Sequence, residues 1–439
     1  MPSASYGSRP NIIEFICHDL GQYVGCLGAP IETPNIDGLA DDGVLFSSYA
    51  CTAAQCSPSR GSIMTGRYPH NNGLVGLAHI GWEIGANEVT LPMYLNRAGY
   101  HTRLIGHQHE HNEAPRLGYQ TIQDVSYDAR TVASAVAEFL HGEAQEAQPF
   151  FASAGVTEPH RPYEREDYDR DDPDSVEVLP YLPDRPGIRE DLAGLHGLIW
   201  RLDEAIGTVR QALADSGLEQ DTVLIVTTDH GIAMPRAKGT CYDPGIMTTL
   251  VMRWPGHFDG GRVHGELLTN CDLLPTLLDL AGTDVPDQVE GRSFLGLLDQ
   301  DRYEPRDDIF CEMTWHDQYN PMRAVRTVRY KYIRNFGRRP LVYMPADVYQ
   351  GPAGEEMIDD FYNEVRPTEE LYDLERDPLE KENVIDDPEY EDIAWTLRTR
   401  VHTWMVETND PLLYGDYPPT KLQRERAEER PMDNGVPHV

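Results

Sequence analysis

Short apolar runs alternate with longer amphipathic stretches along most of the chain. The apolar runs are rich in β-branched residues, as buried strands are, and they occupy residues 11–17, 101–105, 149–156 and 223–228. Apolar residues at helical spacing fill the stretches 130–140 and 192–213. Strands that alternate with helices in this way predict an α/β fold with a largely parallel sheet.

Histidine or aspartate follows closely after each of these four apolar runs. The residues are His18 and Asp19, His107 and His109, His160, and Asp229 and His230. In open α/β sheets, ligands bind beyond the carboxyl ends of the strands. We therefore expect these side chains to converge at one edge of the sheet, where carboxylates and imidazoles together suit a divalent cation. The alternative for Asp19 and Asp229 is simple capping of a following helix.

A polar, proline-containing segment at residues 302–308 predicts a hinge into a second, smaller unit. Beyond it, residues 309–314 and 324–335 have the pattern of strands in a small antiparallel sheet. The end of the chain is charged and contains several prolines, which predicts poor order. The predicted division is a large domain at 1–302, a subdomain at 303–417 and an acidic, proline-rich tail at 418–439.

The segment 56–66 reads Cys-Ser-Pro-Ser-Arg-Gly-Ser-Ile-Met-Thr-Gly and predicts a short helix. Ser57 is a favourable N-cap, Pro58 suits the first helical position, and Gly66 can end the helix. Cys56 then lies at a helix N-terminus, where free N–H groups and the helix dipole attract anions. Arg60 adds a planar guanidinium that matches oxyanions. The alternative is an ordinary capped helix after a loop.

Cys-x-Pro-x-Arg at 56–60, followed by Gly-Ser-Ile-Met-Thr-Gly-Arg-Tyr-Pro at 61–69, resembles the signature of the type I sulfatases of the alkaline phosphatase superfamily. Residues 69–77 resemble the branch that contains the heparan N-sulfatases. The resemblance implies an alkaline-phosphatase-like sandwich with a large mixed, mostly parallel central sheet flanked by helices, and a smaller C-terminal α+β subdomain with an antiparallel sheet. It also implies that a formylglycine-generating enzyme converts Cys56 to formylglycine, whose hydrate is the nucleophile positioned by Arg60.

The resemblance also implies a divalent metal at the nucleophile. Asp19, Cys56, Asp229 and His230 match the metal-binding positions of the family, whose usual metal is calcium. His18 stands where the first aspartate is usual, and we expect it to lie at the metal as well. Two imidazole ligands shift the metal preference of the site toward manganese or zinc, so both metals remain alternatives to calcium.

Five further residues match functional positions of the family. His109 matches the histidine that assists the hydrate, and His107 replaces the lysine of the Lys-x-His motif. His160, in Pro-His-x-Pro, matches a sulfate-binding or proton-donating histidine, and Lys238 matches the lysine that holds a sulfate oxygen. His316 lies in a segment similar to the substrate side of the N-sulfatase branch, so with His107 it is a candidate substrate contact.

The charge balance excludes some partners. The 439 residues carry a formal net charge of −36, from 73 acidic and 37 basic residues. Only four of the basic residues are lysines. Such a surface repels nucleic acid and anionic membranes, and it suits high salt, where repulsion between charges is screened. We therefore expect a halophilic host.

Cysteine usage and the start of the chain bear on the compartment. The seven cysteines have no zinc or disulfide spacing, which predicts mostly buried thiols in a reducing environment. The first residues lack a basic segment followed by an apolar core, and no apolar stretch reaches membrane-spanning length. We expect a cytoplasmic protein.

The implied activity is hydrolysis of a sulfate ester or a sulfamate on a small substrate, such as an N-sulfoglucosamine-like sugar. Three alternatives stay open. The first is a phosphonate or phosphate diester hydrolase of the same superfamily, and the second is an enzyme whose Cys56 stays a thiol. The third is an inactive homologue that only binds anionic sugars.

Overall fold

The computed structural model describes residues 9–146, 149–165, 167–258, 260–299, 302–338 and 340–429. Within them the strands are β1 (Asn11–Cys17), β2 (Val44–Phe46), β3 (Tyr49–Ala50), β4 (His101–Gly106), β5 (Thr121–Gln123), β6 (Phe150–Gly155), β7 (Thr222–Thr228), β8 (Leu250–Arg253), β9 (Arg262–His264), β10 (Leu268–Thr269), β11 (Asp308–Trp315), β12 (Tyr319–Thr327), β13 (Tyr330–Asn335) and β14 (Glu369–Asp373). The α-helices are α1 (Pro34–Asp42), α2 (Cys56–Thr65), α3 (Pro69–Asn72), α4 (Leu91–Arg97), α5 (Ala129–His141), α6 (Pro186–Ser216), α7 (Asp243–Ile246), α8 (Leu273–Leu280), α9 (Leu295–Asp299), α10 (Ala346–Tyr349), α11 (Pro352–Tyr362), α12 (Glu391–Glu407) and α13 (Lys421–Glu429). None of the helices in this described part of the chain has both the length and the apolar composition needed to cross a bilayer.

The central sheet has eight strands in the spatial order β5-β4-β6-β1-β7-β8-β2-β9. β8 runs antiparallel to both of its neighbours, and the other pairings are parallel. The predicted large, mixed and mostly parallel sheet is therefore confirmed. The four strands predicted from the apolar runs are direct neighbours in the order β4-β6-β1-β7, so their carboxyl ends meet along one stretch of the sheet edge.

Helices cover both faces of this sheet. Along β1, Ile13 and Phe15 face an apolar layer shared with α5 and α6, whereas Ile12 and Ile16 face a layer shared with α2, α4 and α8. A strand buried on both faces is apolar at nearly every position, because neither face meets water. Glu14 is the exception in β1, and its side chain is fully buried.

The C-terminal part of the chain forms the predicted smaller antiparallel sheet, in the order β11-β12-β13-β14. Its apolar face packs against α12, with Trp404 and Leu397 over Tyr332 and Leu371. The single strand expected at 324–335 is two strands, because the Thr327 hydroxyl accepts the Tyr330 N–H and reverses the chain. The domain boundaries at 302/303 and 417/418 stay predictions.

Residues 421–429, in the segment that the sequence predicts to be a poorly ordered tail, form α13. Polar contacts dock the start of this helix onto the rest of the molecule. The Thr420 hydroxyl donates to the Ile80 carbonyl at 2.5 Å, and the Gln423 amide donates to the His316 carbonyl at 3.3 Å and accepts from the Trp82 indole at 3.2 Å. The predicted tail residues 430–439 lie outside the described residues.

Candidate active site

Cys56 is the first residue of α2 and lies beyond the carboxyl ends of the central strands. The N-cap is Gln55, whose extended backbone precedes the helix without a side-chain cap. The prediction that Ser57 is the N-cap was wrong, because Ser57 lies within the helix and its hydroxyl accepts the Ala78 N–H at 3.0 Å. Gly66 ends the helix in the left-handed conformation, with φ of 65°, as predicted. Cys56 therefore belongs to the first turn, where the helix dipole favours negative charge.

The surroundings of Cys56 favour an anion. The residue is 2% exposed, and its Sγ lies 3.2 Å from His230 Nε2 and 3.9 Å from Asp19 Oδ1. Burial alone would raise the pKa of the thiol, but Lys238 and His230 outweigh burial and hold the pKa of Cys56 well below its usual range. The site therefore stabilises negative charge on the side chain at position 56.

Two buried carboxylates follow β1 and β7. Asp229 Oδ1 accepts the Asp19 N–H at 2.9 Å, and Asp229 Oδ2 accepts from Arg60 Nε at 3.0 Å. Asp19 has a φ of 49°, a left-handed conformation that aspartate tolerates better than most residues. Its Oδ2 accepts a hydrogen bond from Lys238 Nζ at 2.8 Å. Burial opposes ionisation of Asp19, but Lys238 and the neighbouring histidines together outweigh burial and hold the pKa of this carboxyl well below its usual range.

Four residues around this point fit a divalent cation. Asp19, Cys56, Asp229 and His230 each offer a ligand atom, and these atoms lie within 4.8 Å of one another. His18 Nδ1 lies 3.1 Å from Asp229 Oδ2 but is not aligned for a hydrogen bond. Burial lowers the pKa of His18, yet Asp229 raises it overall to about 9, so the carboxylates attract positive charge strongly. Two carboxylates with an imidazole are a suitable donor set for the predicted metal.

Lys238 joins the two parts of the chain at the site. Its side chain is 1% exposed, and Nζ donates to Asp347 Oδ2 at 2.7 Å as well as to Asp19. Asp347 lies on α10, and sequence analysis missed it because it belongs to no motif and stands 109 positions from Lys238. Its second oxygen, Oδ1, is buried without a hydrogen-bond partner. The site therefore contains a third carboxylate with one oxygen still able to accept a hydrogen bond.

His160 lies beside this pair. Its Nδ1 lies 2.5 Å from the Arg161 carbonyl oxygen and thus carries the proton, while Nε2 lies 3.3 Å from Lys238 Nζ. Burial and Lys238 lower the pKa of His160. The ring of His160 is partly exposed, so this side of the site is open to solvent.

A group of histidines forms the opposite side of the site. His18 Nε2 and His107 Nε2 lie 3.0 Å apart, and the ring centroid of His109 lies 5.7 Å from both of their centroids. His79 stacks on His109, with Nδ1 2.9 Å from His109 Nε2. Sequence analysis missed His79, and its only signal was its place directly after the sulfatase-like segment 69–77. Burial lowers the pKa of His107 and of His109 and keeps both rings neutral.

His316 lies near the site, but among the described residues it has no direct contact with Cys56. His316 follows β11, and its Nδ1 lies 2.7 Å from Asp317 Oδ1. The same Asp317 oxygen accepts the Ala346 N–H at 3.3 Å. His316 thus lies against the segment that carries Asp347, at the rim of the site.

Two family models match the sequence of this chain. Residues 10–283 match the family model described as Sulfatase. The chain belongs to the sulfatase family. Residues 236–359 of this sulfatase also match the model described as N-sulphoglucosamine sulphohydrolase, C-terminal. The predicted family and its N-sulfatase-like branch are confirmed.

Individual relatives cover nearly the whole sulfatase. It is 28% identical over 466 residues to N-sulphoglucosamine sulphohydrolase of Homo sapiens, covering 92% of this chain and 91% of the human protein. It is 27% identical over 462 residues to an ulvan-active sulfatase of Formosa agariphila, covering 92% of this chain and 76% of the relative. Its fold is similar to the crystal structure of phosphonate monoester hydrolase of Agrobacterium radiobacter, with a TM-score of 0.71, 20% identity and coverage of 91% and 96%.

Proposed function

We propose that this sulfatase hydrolyses the sulfate ester or sulfamate of a small sulfated sugar, with an N-sulfoglucosamine-like sugar as the first candidate. The observation that carries the proposal is the position of Cys56, buried in the first turn of α2 between Asp19, His230 and Lys238. The name of the human relative, N-sulphoglucosamine sulphohydrolase, supports the sulfamate. We propose that Cys56 is converted to formylglycine by a formylglycine-generating enzyme.

Each side chain around residue 56 has its own proposed role in the reaction. Formylglycine would supply the hydroxyl that attacks sulfur and, by returning to the aldehyde, would release sulfate. Arg60 has a buried Nη1 without a partner, which can donate to the attacking group. Lys238 can neutralise a sulfate oxygen. His160 is the candidate proton donor to the leaving group, which is an amine when the substrate is a sulfamate. His109, whose pKa the nearby Cys56 raises against the effect of burial, is the candidate that assists the nucleophile.

We propose that two carboxylates, two imidazoles and residue 56 hold the divalent metal of this site. The carboxylates are Asp19 and Asp229, and the imidazoles are His18 and His230. When bound, the metal would act as a Lewis acid on the oxygens of the transferring group. Calcium is the first candidate because the carboxylates supply oxygen ligands. His230, with His18 beside it, adds nitrogen ligands that keep manganese and zinc as alternatives.

Substitution of Cys56 tests the nucleophile. We expect Cys56→Ala, produced together with a formylglycine-generating enzyme, to release no sulfate from N-sulfoglucosamine or an aryl sulfate while it keeps the wild-type melting temperature. Cys26→Ala is the matched control, because Cys26 is also a free cysteine but lies outside the site. Peptide mass spectrometry should find the aldehyde at position 56 in active wild-type enzyme.

The same experiment separates the alternatives. Sulfate release that survives in Cys56→Ala would refute the nucleophile, and a wholly unmodified thiol in active enzyme would refute formylglycine. A higher rate on an aryl phosphodiester than on an aryl sulfate would make the protein a phosphodiester hydrolase. Tight binding of sulfated sugars without turnover of either substrate would make it an inactive homologue.

A further inference from the structure

A short segment near the end of the described chain lies against the rim of the candidate active site. We call residues 416–425 the C-terminal strap, and it includes the first half of α13. Thr420 and Gln423 form a capping box at the start of this helix. The Thr420 hydroxyl accepts the Gln423 N–H at 3.0 Å, and Gln423 Oε1 accepts the Thr420 N–H at 3.0 Å. The capping box fixes the direction of the Gln423 side chain, which is 7% exposed.

Gln423 also bonds to two stretches of chain that are distant in sequence. Its Oε1 accepts from Trp82 Nε1 at 3.2 Å, and its Nε2 donates to the His316 carbonyl oxygen at 3.3 Å. An indole N–H can only donate and a carbonyl oxygen can only accept, so these partners fix the orientation of the amide. The Thr420 hydroxyl adds a bond to the Ile80 carbonyl oxygen at 2.5 Å. One amide therefore joins residues that lie 341 and 107 positions away from it.

The first stretch, from Leu77 to Trp82, forms a wall beside residue 56. Leu77 and Ile80 share an apolar cluster with Cys56, and Trp82 packs against this cluster. The same stretch carries His79, whose ring stacks on the histidine group of the site with centroids 5.2 Å apart. The position of this stretch therefore determines the position of side chains that line the site.

The second stretch, residues 315–319, carries His316 at the rim of the site. The Trp315 indole donates to the Tyr417 carbonyl oxygen at 3.1 Å, and the Tyr319 hydroxyl accepts the Tyr417 N–H at 3.1 Å. The C-terminal strap thus holds this stretch at several points and holds the first stretch at the same time. Each of the two stretches contributes one histidine to the surroundings of the site.

Other contacts hold the groups that would meet the sulfate. Lys238 Nζ donates to Asp19 and to Asp347, and Arg60 Nε donates to Asp229. These hydrogen bonds do not involve the C-terminal strap. A change in the strap should therefore alter the sugar side of the pocket and leave the binding of sulfate intact.

We propose that Gln423 is a positioning residue, which holds the His79 stretch and the His316 stretch in a fixed relation and so sets how well the sugar part of the substrate fits. The proposal rests on the proposed function, because it takes the substrate to be a sulfated sugar. Gln423 acts through the two stretches and not on the reacting atoms. A neutral amide suits this place, because it can donate to one stretch and accept from the other.

Kinetics of Gln423 variants test the proposal. We expect Gln423→Ala, produced full-length together with a formylglycine-generating enzyme, to raise KM for N-sulfoglucosamine by about 5- to 30-fold, since two hydrogen bonds that hold the pocket are lost. Its kcat and its inhibition constant for inorganic sulfate should stay within about twofold of wild type. Gln423→Glu should have an intermediate KM, because it keeps the acceptor for Trp82 but cannot donate to His316. Glu425→Gln, exposed on the same helix, is the matched control and should keep the wild-type constants.

Hydrogen exchange followed by mass spectrometry tests the positioning without turnover. We expect the amides of residues 77–82 and 315–319 to exchange faster in Gln423→Ala than in wild type, while those of β1 stay unchanged. If Gln423→Ala does not fold, Gln423→Glu, which keeps the capping box, replaces it in both measurements.

Equal exchange of the two stretches in the variant and in wild type would overturn the proposal. Faster exchange with an unchanged KM would also overturn it, as would a loss that falls on kcat and on sulfate inhibition instead of KM. Wild-type enzyme that releases no sulfate from N-sulfoglucosamine would refute the proposed substrate, and the exchange of the two stretches would then decide the role of Gln423 by itself.

Discussion

Asp347, on α10, is a carboxylate from the C-terminal part of the chain that contacts residues of the candidate site. Its Oδ2 accepts from Lys238 Nζ at 2.7 Å and lies 3.7 Å from His160 Nε2. Burial and Lys238 lower the pKa of His160, while Asp347 acts in the opposite direction and raises it. At the scale of one residue, Asp347 therefore helps Asp19 to keep on His160 the proton that we propose it donates.

Asp347→Asn should reveal this effect. Without the carboxylate the pKa of His160 falls further, and because a proton donor works only while protonated, activity should be lost at lower pH than in wild type. We expect kcat/KM for sulfate release to fall by about 10- to 100-fold at neutral pH. The pH dependence of kcat/KM measures both effects, with Asp359→Asn on the exposed face of α11 as the control. If the alkaline limb of the kcat/KM profile lies at the same pH in Asp347→Asn and in wild type, Asp347 has only a structural role.

At the scale of an element, β1 contains one residue, Glu14, whose charged form is costly to bury. Glu14 is 0% exposed in the middle of the central sheet, where Oε2 accepts from Ser153 Oγ at 2.8 Å and Oε1 has no partner. Burial raises the pKa of Glu14 to about 7. The folded state therefore binds this proton more tightly than the unfolded state, and the strand is least costly to bury while Glu14 is neutral.

Glu14→Gln should flatten the pH dependence of stability. Between the ordinary pKa of a glutamate and about 7, the folded protein holds a proton that the unfolded chain has lost, so stability falls as pH rises. The loss is on the order of 3 kcal/mol above about pH 7. We expect Glu14→Gln to match wild type in melting temperature near about pH 5 and to exceed it near about pH 8. Exposed Glu138→Gln on α5 should keep the wild-type slope, and equal slopes in all three proteins would contradict the prediction.

At the scale of the whole molecule, negative charge dominates the surface. Of the four lysines, Lys238 and Lys331 are buried at 1% and 0% exposure. Lys381 and Lys421 are exposed. Arginine therefore supplies almost all of the positive charge that offsets the surface carboxylates, and a net charge of −36 remains. Repulsion among surface carboxylates destabilises the compact state, and salt weakens it by shortening the Debye length from about 10 Å at 0.1 M to about 3 Å at 1 M.

We therefore expect the melting temperature and the rate of sulfate release to rise between about 0.1 M and about 1 M potassium chloride. Sucrose at matched osmolality is the control, because it stabilises folded proteins without screening charge. Thermal unfolding and initial rates across the salt series provide the measurement. Highest activity at the lowest salt would refute the halophilic expectation.

The sequence by itself determined the fold class through local pattern, and the resemblance of its motifs to a family proposed most of the candidate site. The strands at 11–17, 101–105, 149–156 and 223–228 could be predicted because a strand buried on both faces is apolar at most positions. Their polar ends could be expected to converge because parallel strands point their carboxyl ends the same way. Cys56 and Arg60 could be found because they share one short helix with a recognisable sequence.

Only the tertiary structure decided which side chains touch. His18 and His107 are 89 positions apart, and Lys238 and Asp347 are 109 apart, so no local pattern relates them. The packing of α13 against Ile80 and His316 was also not predicted, because the polar sequence of this segment is typical of a solvated tail. Thr420 and Gln423 hold it through hydrogen bonds to these residues, which are distant in sequence. Sequence spacing determines which elements form and in which direction their ends point, whereas the packing of those elements decides which residues complete the site.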